Sequence, residues 1–171
     1  MRWDQVDDGW LLYALGEELA RFGPIGPRGA AVTCAAGHVT LSRVGFVRPR
    51  VLLRKDGVQL ASFTQDFSGH GRVDLADGTC LDFDRISLAG GEAVLLDAAR
   101  RWVVHVARDP EGDARGATLT VDRAVEVHRA VLLAVIAWHA LLADLEDPGR
   151  PLSVWNGPAE RVHPRSRFEA L

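Results

Sequence analysis

The clearest pattern along the chain is an apolar run at residues 130–143. The run contains no charged side chain, and His139 is its one polar residue. A surface helix has a single apolar stripe, whereas a helix that is apolar on every face must be buried on every face. We therefore predict a hydrophobic central helix over residues 122–146, with Asp122 as its N-cap, enclosed by the rest of the chain.

Residues 31–121 show a different pattern, in which short segments rich in Val, Leu and Phe alternate with turn residues. This pattern predicts a β-meander. In one hairpin, a three-residue loop at residues 76–78 pairs Val73 with Leu81 and keeps the apolar side chains on one face. We expect that register, with Gly78 in the left-handed conformation. A three-residue hairpin loop is also predicted at residues 55–57. A third hairpin is expected to turn at residues 97–100.

The N-terminal segment has yet another periodicity. Leu11, Leu15 and Leu19 recur at helical spacing, with Glu18 on the other face. This spacing predicts an amphipathic N-terminal helix over residues 1–22. At the other end of the chain, the Pro- and Arg-rich residues 148–171 are expected to form a loosely held tail.

These elements predict a single domain, residues 1–171, of the mainly β, α+β class. The expected architecture is an antiparallel β-barrel of successive hairpins that encloses the hydrophobic C-terminal helix, with the extra N-terminal helix outside it. A half-open sheet that grips the helix is the alternative arrangement.

Composition narrows the functional classes. The 171 residues carry a formal net charge of −3, which argues against a general nucleic-acid-binding protein. Asp4, Asp7 and Asp8 stand where a signal peptide needs positive charge, so we expect a cytoplasmic protein.

The apolar run spans about 21 Å, short of the hydrocarbon core of about 30 Å. Cys34 and Cys80 lack CxxC spacing and are expected to be buried, reduced thiols.

The residue types that most often carry chemistry form no known motif. The chain contains no HExxH, GxSxG or P-loop pattern. On a helix, His128 and His139 would be about 16 Å apart along the axis, too far to share a metal ion. His139 is expected to be a neutral, hydrogen-bonded core histidine. Asp74, Asp82 and Asp84 are expected on a solvated outer face, with a cation site as the alternative. We therefore predict no catalysis, no metal and no cofactor.

Charge is unevenly distributed along the chain. Residues 19–55 contain seven cations and no acid. Arg48, Arg50 and Arg54 are two and four residues apart, so on an extended strand they project to the same face, and Lys55 follows them. These four residues are the candidate site for anions or anionic lipid. The alternative is a solvated rim that pairs with the acidic half of the barrel.

The segments Gly71-Arg-Val-Asp-Leu-Ala-Asp-Gly-Thr-Cys-Leu-Asp-Phe83 and Ala93-Val-Leu-Leu-Asp97 are similar to small bacterial members of the tubby C-terminal-like superfamily. This superfamily includes the phospholipid scramblases and the LURP-one-related proteins. The hairpins up to Val121 and the hydrophobic helix after them also resemble the family pattern. The resemblance implies a closed antiparallel barrel around one C-terminal helix. It also implies the membrane-lipid association found in some members. The predicted N-terminal helix is no part of that shared core.

Taken together, the residues and the resemblance predict a non-catalytic cytoplasmic protein. We expect it to bind an anionic phospholipid surface or a protein partner, and no nucleic acid. The alternative is a small-ligand-binding protein with a cavity between a curved sheet and the C-terminal helix, beside Trp138 and His139.

Overall fold

The computed structural model describes residues 1–6, 9–24, 29–35, 37–45, 50–66, 70–86, 91–109 and 116–145, with the backbone alone for residues 142–145. The predicted tail lies outside these ranges. In the described ranges, twelve strands are followed by one helix. The elements are β1 (Arg2–Val6), β2 (Gly9–Ala14), β3 (Glu17–Phe22), β4 (Gly29–Cys34), β5 (Gly37–Val44), β6 (Arg50–Lys55), β7 (Val58–Gln65), β8 (Gly71–Leu75), β9 (Cys80–Arg85), β10 (Glu92–Leu96), β11 (Trp102–Arg108), β12 (Gly116–Val121) and α1 (Val127–Leu145).

The strands form a closed antiparallel barrel. Each strand pairs with its neighbours in the chain, and β12 completes the ring by pairing with β1, where Trp3 lies opposite Ala117. The short connections after β2, β4, β6, β8 and β10 all lie at one end, which we call the turn end. Because β12 also finishes there, α1 enters the barrel from the turn end and runs towards the opposite end.

The central part of helix α1 is buried on every side. From Ala130 to Leu141 every side chain is buried except that of Leu132, which is half-buried. Trp138 stacks on Trp3 with ring centroids 5.9 Å apart, and it meets Trp10 edge-on at 4.7 Å. Inward side chains from all twelve strands join the same apolar core. The predicted barrel with an enclosed C-terminal helix is therefore confirmed.

The predicted N-terminal helix over residues 1–22 is wrong, because this segment forms β1, β2 and β3. A β-bulge in the β2–β3 pairing leaves Leu19 without an opposite residue. The bulge breaks the two-residue alternation, so the leucines fall at a spacing that imitates a helical stripe. The side chains of Trp3, Leu12 and Phe22 face the core instead and complete the barrel wall.

The predicted register of the β8–β9 hairpin is confirmed. Val73 lies opposite Leu81, and both side chains are buried. The Leu75 N–H donates to the Thr79 carbonyl at 2.8 Å across the three-residue loop. Gly78 has a φ of +85°, the left-handed conformation that this loop requires.

The β6–β7 turn is shorter than predicted. Lys55 pairs directly with Val58, so the turn contains two residues, Asp56 and Gly57, rather than three. Their φ values are 50° and 80°, as a tight hairpin turn with two positive φ angles requires. A bulge beside Arg54 shifts the register of the two strands, and this shift replaces the longer loop that was predicted.

The helix begins at Val127 rather than at residue 122. The Asp122 carboxylate accepts the N–H of Ala124 at 3.0 Å and closes a turn ahead of the helix. Along the helix, the N–H of Ala130 donates to the carbonyl of Glu126 at 2.8 Å. Asp122 therefore caps the connecting turn and not the helix.

Candidate anion-binding face

Of the four predicted site residues, three lie in the described ranges, and all three belong to β6. Arg50 begins the strand and Arg54 lies near its other end, so the two are about 13 Å apart at about 3.3 Å per residue. Both project outward, because Leu53 between them faces the core. Lys55 ends the strand, and its Nζ lies beside Gly37 of β5. Arg48 lies outside the described residues.

The neighbouring strands contribute no carboxylate to this face. β4, β5, β6 and β7 contain no Asp or Glu at all. Several of their outward positions carry hydroxyl groups instead, since the intervening residues face the core. In register, Thr40 lies opposite Arg54, and Thr64 lies opposite Arg50. We call the outward side of β4–β7, together with Lys55 at the end of β6, the basic face. Its other side chains are those of Thr33, His38, Thr40, Ser42, Arg50, Arg54 and Thr64, and those of Leu52 and Ser62, which are buried.

The cations of the basic face were predicted from the sequence, but its hydroxyl groups were not. Hydroxyl groups can donate hydrogen bonds to phosphate oxygens beside the guanidinium groups. The available signal was the run of Ser and Thr at alternate positions of β5 and β7. It became informative only once the register placed these positions beside β6.

Several arginines elsewhere in the described ranges have carboxylate partners, whereas Arg43, Arg108 and Arg123 have none there. Within the described residues, six arginines form ion pairs, and they are Arg2, Arg21, Arg72, Arg100, Arg101 and Arg129. None of Arg50, Arg54 and Lys55 has a carboxylate oxygen within 4.0 Å in that part of the chain. The cations of the basic face therefore form no ion pair within the described ranges, although Asp74 on β8 is close enough for the charge of Arg50 to lower its pKa.

The acidic outer face has its own cations. Arg72 Nε donates to Asp74 at 2.6 Å, and Arg100 reaches Asp82 at 3.2 Å and Asp84 at 2.8 Å. The hydrogen bond from Arg72 is the main reason why the pKa of Asp74 is lowered, and the charge of Arg50 adds to it. In the described ranges these carboxylates pair with Arg72 and Arg100 rather than with Arg50 or Arg54. No group of metal-ligating side chains forms among the described residues.

His139 lies inside the barrel rather than at a surface site. It is 5% exposed, and burial, followed by the nearby charge of Arg43, lowers its pKa to about 4. A neutral core histidine was predicted, and its burial keeps it neutral at pH 7. The predicted hydrogen bond is missing at one ring nitrogen, because Nδ1 has no partner in the part of the chain that the structure describes.

The space beside Trp138 is occupied by aromatic rings. Trp3 and Trp10 contact Trp138, and Phe22 meets Trp3 edge-on at 5.5 Å. A hollow of about 420 Å³ lies elsewhere, on the outer surface near the turn end, where Tyr13 and Thr118 contribute to its lining. Among the described residues, aromatic rings thus lie against Trp138, whereas His139 Nδ1, on the next residue, has no hydrogen-bond partner.

Comparison with known proteins adds no relative. No family model, no curated protein and no solved structure matches the chain. Among the described residues, no helix has both the length and the apolar character needed to cross a bilayer.

Proposed function

We propose that the protein is a non-catalytic cytoplasmic protein that binds anionic phospholipid surfaces through its basic face. One observation carries the proposal. Arg50, Arg54 and Lys55 lie within four consecutive strands that carry no acid, and they form no ion pair among the described residues. Six other described arginines are ion-paired, and the unpaired Arg108 and Arg123 lie outside these strands. Cations that the fold does not neutralise are available to an external anion.

The expected binding is weak and reversible. Each basic side chain close to an anionic membrane contributes about 1 kcal/mol, so three of them give an affinity that depends on lipid charge. Screening lengths shrink from about 30 Å at 0.01 M salt to about 8 Å at physiological ionic strength, so the attraction falls as salt rises. The hydroxyl groups of Thr40 and Thr64, beside the two arginines, supply further donors to lipid phosphate oxygens.

Two further features support this proposal. The described thiols, Cys34 and Cys80, are free, in keeping with a reducing compartment. They are not buried as predicted, because Cys34 is half-buried and Cys80 is exposed. The closed barrel around a C-terminal helix also supports our proposal that the chain belongs to the tubby C-terminal-like superfamily as a small bacterial member.

Vesicle flotation tests the proposal. The triple variant Arg50→Gln, Arg54→Gln, Lys55→Gln is expected to lose most binding to vesicles of phosphatidylcholine and phosphatidylserine, with little change in melting temperature. The matched control replaces three exposed, ion-paired arginines, Arg21, Arg72 and Arg101, by glutamine. It removes the same formal charge and is expected to bind like the wild type, because those arginines are already neutralised.

Two results would contradict the proposal. If the wild type ignores these vesicles even at low salt, the basic face has no affinity for anionic lipid. If both triple variants lose binding equally, net charge alone controls the association and the basic face is not a site.

As a second candidate function we propose small-ligand binding between the sheet and α1. The observation that favours it is a set of buried polar atoms without partners in the described part of the chain, namely Trp3 Nε1, Trp138 Nε1 and His139 Nδ1. Buried polar groups normally have a hydrogen-bond partner, which a ligand would supply. Native mass spectrometry of the purified protein tests this: a stoichiometric small molecule supports it, and the bare polypeptide mass contradicts it.

A further inference from the structure

Two turns of the barrel share a backbone geometry but differ in their side chains. In the β6–β7 turn, Asp56 and Gly57 have φ values of 50° and 80°. In the β2–β3 turn, Leu15 and Gly16 have φ values of 53° and 84°. Tight hairpin turns with two positive φ angles favour Asn or Asp followed by Gly. Asp56 fits this preference, whereas Leu15 is poorly suited to a left-handed backbone.

Leu15 gains nothing from packing either. Its exposed fraction is 105%, so the side chain contacts essentially nothing in the fold. An asparagine at this position would suit both the turn and the surrounding water better. Neither the backbone nor the core favours a leucine here, so Leu15 is a candidate for a contact outside the protein.

A second exposed apolar side chain lies next to the unpaired cations. Val58, the first residue of β7, is 64% exposed and lies opposite Lys55 in register. Arg54 precedes Lys55 on the same strand. The β2–β3 and β6–β7 turns both lie at the turn end, about 19 Å apart along the ring, four strand spacings of about 4.8 Å. The exposed side chains of Leu15 and Val58, which we call the apolar tips, thus lie at the same end of the barrel as Arg54 and Lys55.

Carboxylates on this arc limit how deep a contact can be. Glu17 and Asp56 are exposed beside the two tips, and Glu18 is ion-paired with Arg21 at 2.9 Å. Charged carboxylates remain in the hydrated headgroup layer. If only the apolar tips pass below this layer, the tips leave water and the carboxylates stay hydrated.

We propose that Leu15 and Val58 insert at the headgroup boundary of an anionic bilayer while Arg54 and Lys55 contact the lipid phosphates. This inference rests on the proposed function and adds the orientation of the barrel, with the arc of the turn end between β2 and β7 towards the membrane. It also adds an apolar contribution to binding, which salt does not screen.

The size of the effect follows from the apolar area. Full burial of a leucine side chain corresponds to more than a tenfold change in a binding constant, so partial insertion of Leu15 is expected to contribute about tenfold. Val58 is smaller and partly covered, so its contribution is expected to be about threefold. The apolar part of the binding is expected to remain at about 0.5 M salt, where the screening length is only about 4 Å.

The test compares apolar residues at the two ends of the barrel. Leu15→Asn and Val58→Asn are measured by flotation with phosphatidylcholine–phosphatidylserine vesicles at low and high salt. The matched controls are Val44→Asn and Ile86→Asn, since Val44 and Ile86 are exposed apolar residues at the opposite end. The melting temperature is recorded for every variant. Leu15→Asn is expected to leave it unchanged or raise it, because asparagine suits the turn.

The outcomes separate this inference from the proposed function. Weaker binding by both tip variants, loss of the salt-resistant fraction and unchanged controls support the inference. If the wild type binds and the tip variants bind equally well, the inference is wrong and the basic face alone accounts for binding. A fall of several degrees in the melting temperature of Leu15→Asn shows a structural role for Leu15 and also overturns it. Absence of wild-type binding at low salt overturns the proposed function first.

Discussion

Acidification is expected to destabilise this barrel through His139. The side chain is neutral inside the core, where burial lowers its pKa from 6.5 to about 4. In the unfolded chain the same imidazole is hydrated and takes up a proton at its ordinary pKa. Below pH 6.5 the unfolded state therefore binds more protons than the folded state, and the free energy of unfolding falls as the pH falls.

The magnitude follows from the two pKa values. A difference of one pKa unit corresponds to about 1.4 kcal/mol, so the full loss approaches about 3 kcal/mol at pH 4. About 2 kcal/mol of this is expected by pH 5, relative to pH 7. The stabilised carboxylates Asp74, Asp77 and Asp97 also lose their contribution on acidification, but their pKa values lie below 3.8, so most of their effect comes below pH 5.

The assay is urea unfolding of the wild type and of His139→Leu at pH 7 and pH 5. The variant is expected to lose about 2 kcal/mol less stability than the wild type between these values. At pH 7 it is expected to be slightly more stable, because it removes a buried nitrogen without a partner. His128→Leu is the matched control, since His128 is exposed on the same helix. If wild type and His139→Leu lose stability in parallel, His139 is not held neutral by burial and the reasoning fails.

The remaining predictions concern the interior, a turn and metal content. Ile136→Asp is expected to abolish soluble expression, because Ile136 is 2% exposed and an unpaired buried charge costs several kcal/mol; a soluble variant that unfolds cooperatively contradicts the enclosed-helix arrangement. Gly78→Val is expected to lower stability by about 1–2 kcal/mol in thermal unfolding, from backbone strain alone, since a Cβ there meets nothing within 4 Å; an unchanged melting temperature argues against the left-handed turn. Elemental analysis of untagged protein is expected to find no stoichiometric zinc, and one zinc per chain refutes this.

The parts of the fold that could be predicted are those in which apolar and polar residues alternate without interruption, or in which every residue is apolar. The all-round apolar character of residues 130–143 was sufficient to predict an enclosed helix, and Val73 and Leu81 fixed a register. The first three strands were missed because the bulge at Leu19 imitates helical spacing. A further signal was available in the positive-φ glycines at positions 16, 37, 57 and 78, which are 21, 20 and 21 residues apart. The same spacing, applied back from Gly37 to Gly16, predicts a hairpin turn at Gly16.

The candidate site was predictable only in part. The cations of β6 follow from the charge distribution along the chain, because they occupy a stretch without acids. The exposed tip at Leu15 could not be found, because a helical assignment placed Leu15 on the apolar face. The pairing of Arg100 with Asp82 and Asp84 joins positions 16 and 18 residues apart and depends on the hairpin register, which periodicity alone does not give.

The position of α1 in chain order has a consequence for biosynthesis. The helix that fills the barrel follows all twelve described strands in the chain, so it leaves the ribosome after them. At about 5–20 residues per second, the inner surfaces of the first strands wait roughly 7–30 s for the segment that covers them. Throughout that time the nascent chain presents Trp3, Leu12 and Phe22 to the cell without a partner. Folding of this protein is therefore expected to be post-translational, and its yield is expected to depend on chaperones that hold the nascent strands apart.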